Sequence, residues 1–272
     1  MREPILAIAD GSAQDATAFA AAAAAAKVAG TDARAVFCAP DPAETLVWIG
    51  DGFTASVGAS ALTSAREAIE EIKHKINTLA TQHGLAFSFY AATPDWALSH
   101  LVSLADFCVV GRDALKPKAP LSIALGALMH DHHASLLIAD DHPNDYHCLA
   151  IAWDASIQAG RAVRAARAWL AKAERICILQ APMRIDRDAQ PFADPQILAM
   201  HIQRWGGPAP EIRSIAAQGE IGASLMQEAE SYGAGALIAG AYGHPRVQEM
   251  IFGGATRSFL KAERPIALLM SH

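Results

Sequence analysis

The chain has 272 residues, of which 52% are apolar and 18% charged, and its formal net charge is −6. This composition can build a full core and excludes a disordered chain, and the acidic balance disfavours binding to nucleic acid or to an anionic membrane. The N-terminus lacks a basic start followed by an apolar stretch, and no apolar run approaches the roughly 20 residues of a membrane span. We therefore expect a soluble, cytoplasmic protein.

The first half of the sequence alternates predicted strands with predicted helices. Short apolar runs that end at polar or glycine residues predict strands, and the longer stretches between them predict helices. In chain order the predicted elements are strand 5–9, helix 13–29, strand 35–39, helix 63–83, strand 87–91, helix 96–105, strand 107–111, helix 123–132 and strand 135–139.

The second half repeats the pattern of strands. The predicted strands are 149–153, 175–180, 211–215, 236–240 and 266–270. Most strands of both halves are continuous apolar runs rather than alternating ones, which is typical of parallel strands covered by helices on both faces. The predicted fold is therefore α/β, with a doubly wound parallel sheet in each half.

Matching segments occur in the same order in both halves, which indicates an internal repeat. The openings ILAIADGSAQDA and LAIAWDASIQAG make Asp10 equivalent to Asp154. The runs FCVVG and ALIAG make Gly111 equivalent to Gly240. The polar stretch DDHPNDYH lies between the two copies and is typical of a linker. We predict two domains, residues 1–143 and 144–272.

Polar residues follow the first strand of each half. Ser12 and Ser156 precede predicted helices, and serine is a preferred helix N-cap, so we expect both to cap. Asp10 and Asp154 could be catalytic bases, but lone carboxylates at strand ends more often cap a helix or bind a ligand. Neither a Ser-His-Asp arrangement nor a Walker-type loop is recognisable.

The segment GAYGHPRVQEMIFGGATRSFL after the fourth strand of the second half has the composition of a phosphate-binding loop. Glycines allow a turn to expose backbone N–H groups at close range, and the first amides of a following helix point at an anion. Without further evidence, a plain turn before a helix explains the glycines equally well. The residues concerned are Gly240, Gly243, Gly253, Gly254, Thr256 as a hydroxyl donor, and Arg246 or Arg257 as a cation for the outer phosphates.

The spacing Gly-x2-Gly-x9-Gly, the strand-Asp-x-Ser openings and the closing AERPIALLM resemble the universal stress protein family over essentially the whole chain. The resemblance implies two tandem Rossmann-like domains of the adenine nucleotide alpha hydrolase-like type, each with a five-stranded parallel sheet flanked by helices. It also implies a site for ATP, or for ADP or AMP, with or without Mg²⁺. By that resemblance Asp154, Ala181 and Pro182 contact adenosine. The residues that would hold ribose and phosphates are Gly240, Gly243, Gly253, Gly254 and Thr256, with Arg246 and His244 beside the outer phosphates.

Two departures from the family pattern concern the phosphate loops. The family has Ser or Thr directly after the third glycine, where this chain has Gly254, so a hydroxyl donor is lost and Thr256 is its nearest replacement. In the first half Ala114 replaces the second glycine, and Pro117 and Pro120 remove N–H donors from the loop. We expect nucleotide binding in the second half alone.

Histidines cluster near the end of the first half, where His130, Asp131, His132 and His133 are consecutive. Histidine and aspartate are suitable metal ligands. The cluster also lies where a helix is predicted to end, a position that favours histidine because of the helix dipole. No pair shows i, i+4 spacing, so we favour the helix-end interpretation and predict no metal site.

The sequence favours a stress-response protein that binds an adenine nucleotide. Two alternatives stay open: a tandem stress protein that acts through protein contacts without nucleotide, and a weak ATPase. We expect the two domains to form an intramolecular pseudo-dimer in which the closing strands, 134–139 and 266–270, pair. A homodimer of the whole chain is also left open. Trp169 is predicted to lie in the core, and whether Trp153 borders the adenine pocket is not decided.

Overall fold

A computed structural model describes residues 5–46, 55–116, 119–140, 145–181, 190–216, 221–241 and 266–272. Within these ranges the chain folds into one ten-stranded sheet with helices on both faces. The predicted α/β fold class is confirmed. Among the described helices, none is both long and apolar enough to cross a bilayer.

The strands follow the apolar runs of the sequence closely. They are β1 (Ile5–Ala9), β2 (Ala33–Cys38), β3 (Ala86–Tyr90), β4 (Cys108–Gly111), β5 (Leu136–Ala139), β6 (Cys148–Ala152), β7 (Arg175–Gln180), β8 (Glu211–Ser214), β9 (Ala236–Gly240) and β10 (Ala267–Ser271). Each predicted strand matches one of these to within two residues at either end. Buried apolar side chains alternate between the two faces of the sheet, which explains why the runs are uninterrupted.

The strand order across the sheet is β3-β2-β1-β4-β5-β10-β9-β6-β7-β8. Read outward from the centre, both halves have the same order, because β6 to β10 occupy the places that β1 to β5 occupy on the other side. Every neighbouring pair is parallel except β5 and β10. In each half the order reverses beside the first strand, between β1 and β4 and between β6 and β9. The domain bounds at 143 and 144 remain a prediction.

The two halves of the sheet meet at β5 and β10. These strands pair antiparallel, with Leu269 opposite Leu137. Next to this pair, the buried hydroxyls of Ser135 and Ser271 are hydrogen-bonded to each other. The predicted pairing of the closing strands is confirmed, and it makes the sheet continuous across the chain.

Nine α-helices lie in the described ranges: α1 (Asp15–Ala29), α2 (Pro42–Leu46), α3 (Ala55–Gln82), α4 (Pro94–Leu101), α5 (Ser122–His130), α6 (Ile157–Ala165), α7 (Arg167–Leu170), α8 (Pro195–Arg204) and α9 (Ile221–Tyr232). The sequence did not predict α2, and α3 begins eight residues before its predicted start at position 63. The small residues at the start of α3 carry little apolar periodicity, which explains why this part of the helix was missed.

The core crosses the boundary between the two halves. The alanines of α1 are buried against the sheet, as predicted for a helix that lies close to its strands. Trp169 of α7 is fully buried, and its indole Nε1 donates a 2.9 Å hydrogen bond to the carbonyl oxygen of Ala25 in α1. Its ring stacks on Tyr146 and meets Phe107 edge-on. Trp169 therefore ties the second half to the first, which confirms its predicted place in the core.

Candidate functional site at the carboxyl edge of the sheet

The candidate ligand site is the carboxyl edge of the sheet between β6 and β9. Strand β6 pairs with β7 on one side and with β9 on the other. The connection after β6 therefore runs to one side of β6, and the connection after β8 crosses to the other side. Such a reversal opens a crevice at the carboxyl ends of the strands, where α/β proteins bind ligands. Asp154 follows β6, Ala181 follows β7 and Gly240 ends β9, so all three lie along this edge.

The turn after β6 is built by local hydrogen bonds. The Asp154 carboxylate accepts a 2.9 Å hydrogen bond from the backbone N–H of Ser156. The Ser156 hydroxyl accepts one of 3.1 Å from the N–H of Ala159, which confirms Ser156 as the N-cap of α6. Ala155 between them has φ of 60°, in the left-handed region. The turn therefore holds an exposed carboxylate, Asp154, beside the start of α6.

Gly240 brings the end of β9 against the first turn of α6. A Cβ atom at this position would lie 2.6 Å from the backbone nitrogen of Ala159 and 3.0 Å from Cβ of Gln158. Only glycine allows this approach. Packing alone therefore explains the glycine at position 240, which the sequence analysis placed among the nucleotide contacts.

Trp153 contributes an unused hydrogen-bond donor to the same edge. Its backbone N–H donates to the carbonyl of Leu179 on β7, so the residue stays in line with the sheet. Its indole Nε1 is buried, and the described residues offer it no acceptor. A buried donor without an acceptor costs free energy, which a ligand with an acceptor group would recover. The edge in this respect fits a bound heterocycle or ribose.

The corresponding edge of the first half has a similar turn that is filled by a carboxylate. As at Asp154, the Asp10 carboxylate accepts a 2.9 Å hydrogen bond from Ser12 N–H. The carboxylate of Asp15, however, accepts hydrogen bonds of 3.1 and 3.0 Å from the N–H groups of Asp10 and Gly11. The expected N-cap role of Ser12 is wrong, because α1 starts at Asp15 after Gln14 and the Ser12 hydroxyl accepts only from Gln14 N–H.

Helix α3 closes over this first-half turn. Gly11 has φ of 83°, and a Cβ added to it would lie 2.9 Å from Ile72 of α3. Lys75, also on α3, donates to the carbonyl oxygen of Gly11 at 3.4 Å. Asp15 is 4% exposed, and burial raises its pKa from 3.8 to about 6 against the opposing effects of its two N–H donors and Lys75. The first-half edge is thus occupied by the chain itself.

The acid that fills the first turn has no counterpart in the second. The openings align Asp15 with Ala159, which is 1% exposed and has no polar side chain. Gly111 ends β4 as Gly240 ends β9, and a Cβ at Gly111 would lie 2.5 Å from Cβ of Gln14. The close approach of the strand end to the following helix is therefore shared, whereas among the described residues a buried carboxylate fills the turn of the first half alone. The sequence contained the signal for this difference, an acidic residue at the start of an alanine-rich helix, but it was not recognised as functional.

Most of the predicted phosphate loop lies outside the described residues. Of the ten predicted nucleotide contacts, the described residues comprise Asp154, Ala181 and Gly240. The other seven stay predictions: Pro182, Gly243, His244, Arg246, Gly253, Gly254 and Thr256. In the first half, the chain after Gly111 forms a 3-10 turn, Arg112–Leu115, that includes Ala114.

The predicted histidine cluster gains a member that the sequence did not indicate. His130 ends α5, as predicted, and its ring meets that of His272 edge-on with centroids 4.6 Å apart. The ring of His133 stacks on His272 at 5.9 Å. Within the described ranges, no group of three or more His, Cys, Asp or Glu residues could hold a metal ion.

The fold and its switch-point edge define a doubly wound α/β protein of Rossmann-like type. The structure is similar to that of a universal stress protein from Archaeoglobus fulgidus DSM 4304, with a TM-score of 0.64 and 16% identity over 98% of this chain and 96% of that one. It is also similar to a protein of unknown function from Pseudomonas aeruginosa PAO1, with a TM-score of 0.50 and 12% identity over 98% of this chain and 91% of that one. The chain therefore has the fold of the universal stress proteins. No protein-family model and no curated protein matches the sequence.

Proposed function

We propose that this chain is a tandem universal stress protein of the cytoplasm that binds ATP, or a related adenine nucleotide, at the carboxyl edge of its second half. In this proposal the two halves form an intramolecular pseudo-dimer and the first half is a structural partner without nucleotide. The fold shared with a universal stress protein along nearly the whole chain supports the class.

The observation that carries the proposal is the contrast between the two switch-point edges. The first-half edge is plugged by the buried carboxylate of Asp15 and covered by α3. At the second-half edge Ala159 stands in place of the acid, Asp154 is exposed, and Trp153 holds a buried donor without an acceptor among the described residues. Among the described residues, the first edge is filled by the chain itself and the second presents Asp154 and the Trp153 indole, an arrangement suited to one ligand per chain.

The residues of the second edge have complementary roles toward a nucleoside. The exposed Asp154 carboxylate is an acceptor suited to ribose hydroxyls or to the exocyclic amine of adenine. The N-terminus of α6 lies beside it, and its positive end favours a negatively charged ligand group. The bound nucleotide would supply the phosphates, and the predicted glycine loop that follows Gly240 would hold them.

The proposal is tested by extracting the purified chain with denaturant and identifying released small molecules by mass spectrometry, with calorimetric titration of ATP alongside. We expect about one nucleotide per chain. About two nucleotides per chain would contradict the expectation that the first half, whose edge is filled by the Asp15 carboxylate, binds none. No nucleotide and no heat would refute the proposal and leave the alternative of a stress protein that acts through protein contacts.

A matched pair of variants locates the site. Ala159→Asp recreates in the second half the carboxylate that Asp15 provides in the first, next to the N–H groups of the turn after β6. We expect it to weaken ATP binding by at least tenfold, because a buried negative charge beside the start of α6 would repel the phosphates. Ala159→Asn has nearly the same size without the charge and is the control. Equal affinities of the two variants would show that the nucleotide does not use this turn.

A further inference from the structure

Strand β8 is the last strand of the sheet on the side of the second half. Among the described residues it pairs with β7 and with no strand on its outer side. The N–H of Ile215, just beyond β8, donates a 2.8 Å hydrogen bond to the carbonyl oxygen of Gln180 on β7. Because the backbone groups of successive strand residues point to opposite sides, Ile212 and Ser214 direct their N–H and C=O groups away from β7. The outer side of β8 therefore offers hydrogen-bonding groups to a further strand.

The charged side chains of β8 lie on the face of the sheet that α9 covers. The Arg213 guanidinium donates a 2.7 Å hydrogen bond to Glu211 within the strand and one of 2.6 Å to Glu228 on α9. Glu211 is exposed, and 32% of the Arg213 side chain is accessible. Ile212, between them, packs against the core on the opposite face. When a second copy of this strand runs antiparallel, the order acid, isoleucine, base places opposite charges across from each other.

There is room for another strand beside β8. A cavity of about 690 Å³ opens between the end of β8 and one side of α9. Its lining includes Ser214 and Ile215 from the strand side, and Ser224, Gln227 and Ser231 from α9. The spacing of the α9 residues places them on one side of the helix. This side of α9 therefore stands apart from the outer end of β8 and leaves space along it.

The opposite end of the sheet, at β3, is less suited to pairing. Lys73 of α3 lies over the ring of Phe89 on β3, with its Nζ atom 4.8 Å from the ring centroid. A lysine at a sheet edge is a common means of preventing strands from adding to it. In β8 the acid and the base are balanced, so the edge strand carries no net charge that would repel a second copy.

We propose that two copies of this chain pair through β8, antiparallel and with Ile212 at the two-fold axis, so that the sheet continues from one chain into the other. In this register Ile212 and the partner's Ile212 exchange backbone hydrogen bonds, and the N–H of Ser214 donates to the carbonyl oxygen of the partner's Pro210. Glu211 lies opposite the partner's Arg213, in the more closely spaced type of antiparallel pair. The two-fold symmetry repeats each of these contacts. The pairing does not depend on the nucleotide function proposed above.

The test is sedimentation velocity of the full-length chain over a series of concentrations. Ile212→Pro removes an N–H group that points outward and leaves the hydrogen bonds between β7 and β8 in place. Ile212→Val keeps this N–H and is the matched control. We expect the dissociation constant of the dimer to rise at least about tenfold in Ile212→Pro, because both chains lose a hydrogen bond, and to change less than about threefold in Ile212→Val.

A charge exchange tests the register. Glu211→Lys and Arg213→Glu each place like charges opposite one another when the variant pairs with itself, whereas a mixed dimer of the two variants has opposite charges at both positions. We expect each variant alone to sediment as a monomer and an equimolar mixture to recover the dimer. Circular dichroism checks that each variant is folded, and the Ile212 variants decide if a charge variant is not.

Three results would overturn the proposal. The first is a parent chain that stays monomeric at every concentration. The second is a dimer that Ile212→Pro leaves intact, which would place the interface elsewhere on the chain. The third is a mixture of the folded charge variants that stays monomeric, which would contradict the antiparallel register centred on Ile212.

Discussion

The buried carboxylate of Asp15 makes the stability of the protein depend on pH in a direction opposite to that of most acidic residues. Burial raises its pKa from 3.8 to about 6, so the folded state holds the proton more tightly than the unfolded state does. Stability from this group is fully present below about pH 4 and is lost as the pH rises toward about 6. At about 1.4 kcal/mol for each pH unit in that window, the loss is about 3 kcal/mol.

Asp15→Asn is the perturbation that isolates this effect. The amide keeps the shape of the side chain and an oxygen for one of the two N–H groups, but it does not ionise in this range. We expect the free energy of unfolding of the parent chain, relative to the variant, to fall by about 3 kcal/mol between about pH 4 and about pH 7. The measurement is urea denaturation followed by circular dichroism at a series of pH values.

Subtracting the free energy of unfolding of the variant from that of the parent chain removes the contributions of other titrating groups. One of these is His272, whose lowered pKa has the opposite effect and weakens the fold as the pH falls. A difference between the two proteins that stays constant across the window would refute the argument that burial governs Asp15. A parent chain that gains relative stability as the pH rises would show that the two N–H donors and Lys75 outweigh burial.

Two further substitutions test the packing that positions the site. Gly240→Ala should destabilise the chain by about 1 to 3 kcal/mol in urea denaturation, because its methyl group would meet the backbone of α6. Its control, Gly160→Ala within α6, meets only ordinary contacts and should stabilise by up to about 1 kcal/mol; equal effects would contradict the close approach. Trp169→Phe should cost about 2 to 3 kcal/mol, because the hydrogen bond to Ala25 and part of the buried ring are lost. The variant should still give one unfolding transition, because the continuous sheet still joins the two halves. Two separate transitions in the parent chain would show instead that the halves unfold independently.

Sequence patterns predicted the strands well because each strand is a short apolar run that is buried on both faces. For Glu211–Ser214, at the edge of the sheet, the apolar pattern is weakest, and the strand was predicted from its place in the repeat of the first half's strands. The helices were less predictable at their ends. Thr63 lies well inside α3, and the helix turns before it contain Ala, Ser and Gly, whose propensities do not mark a start.

The geometry of the candidate site was predictable where it depends on one segment and not where it depends on contacts between distant segments. The Asp154 turn and the Ser156 cap are local, so the opening motif was sufficient to predict their place at the edge. The plug at Asp15 depends on α3 folding back over Gly11, and the meeting of His272 with His130 depends on the antiparallel pairing of β5 with β10. Neither contact leaves a local pattern in the sequence.

The two halves share one strand order and yet differ at the same edge of the sheet. With the closing strands paired, both halves contribute to one continuous sheet, so each half supports the core of the other through contacts such as that of Trp169. A half that is held in place by its partner need not keep a ligand site. Its turn can then accept a buried acid and a covering helix, at the cost of the pH sensitivity that Asp15 introduces. At the second edge, among the residues that the structure describes, Ala159 stands in place of the acid and Asp154 stays exposed beside the start of α6.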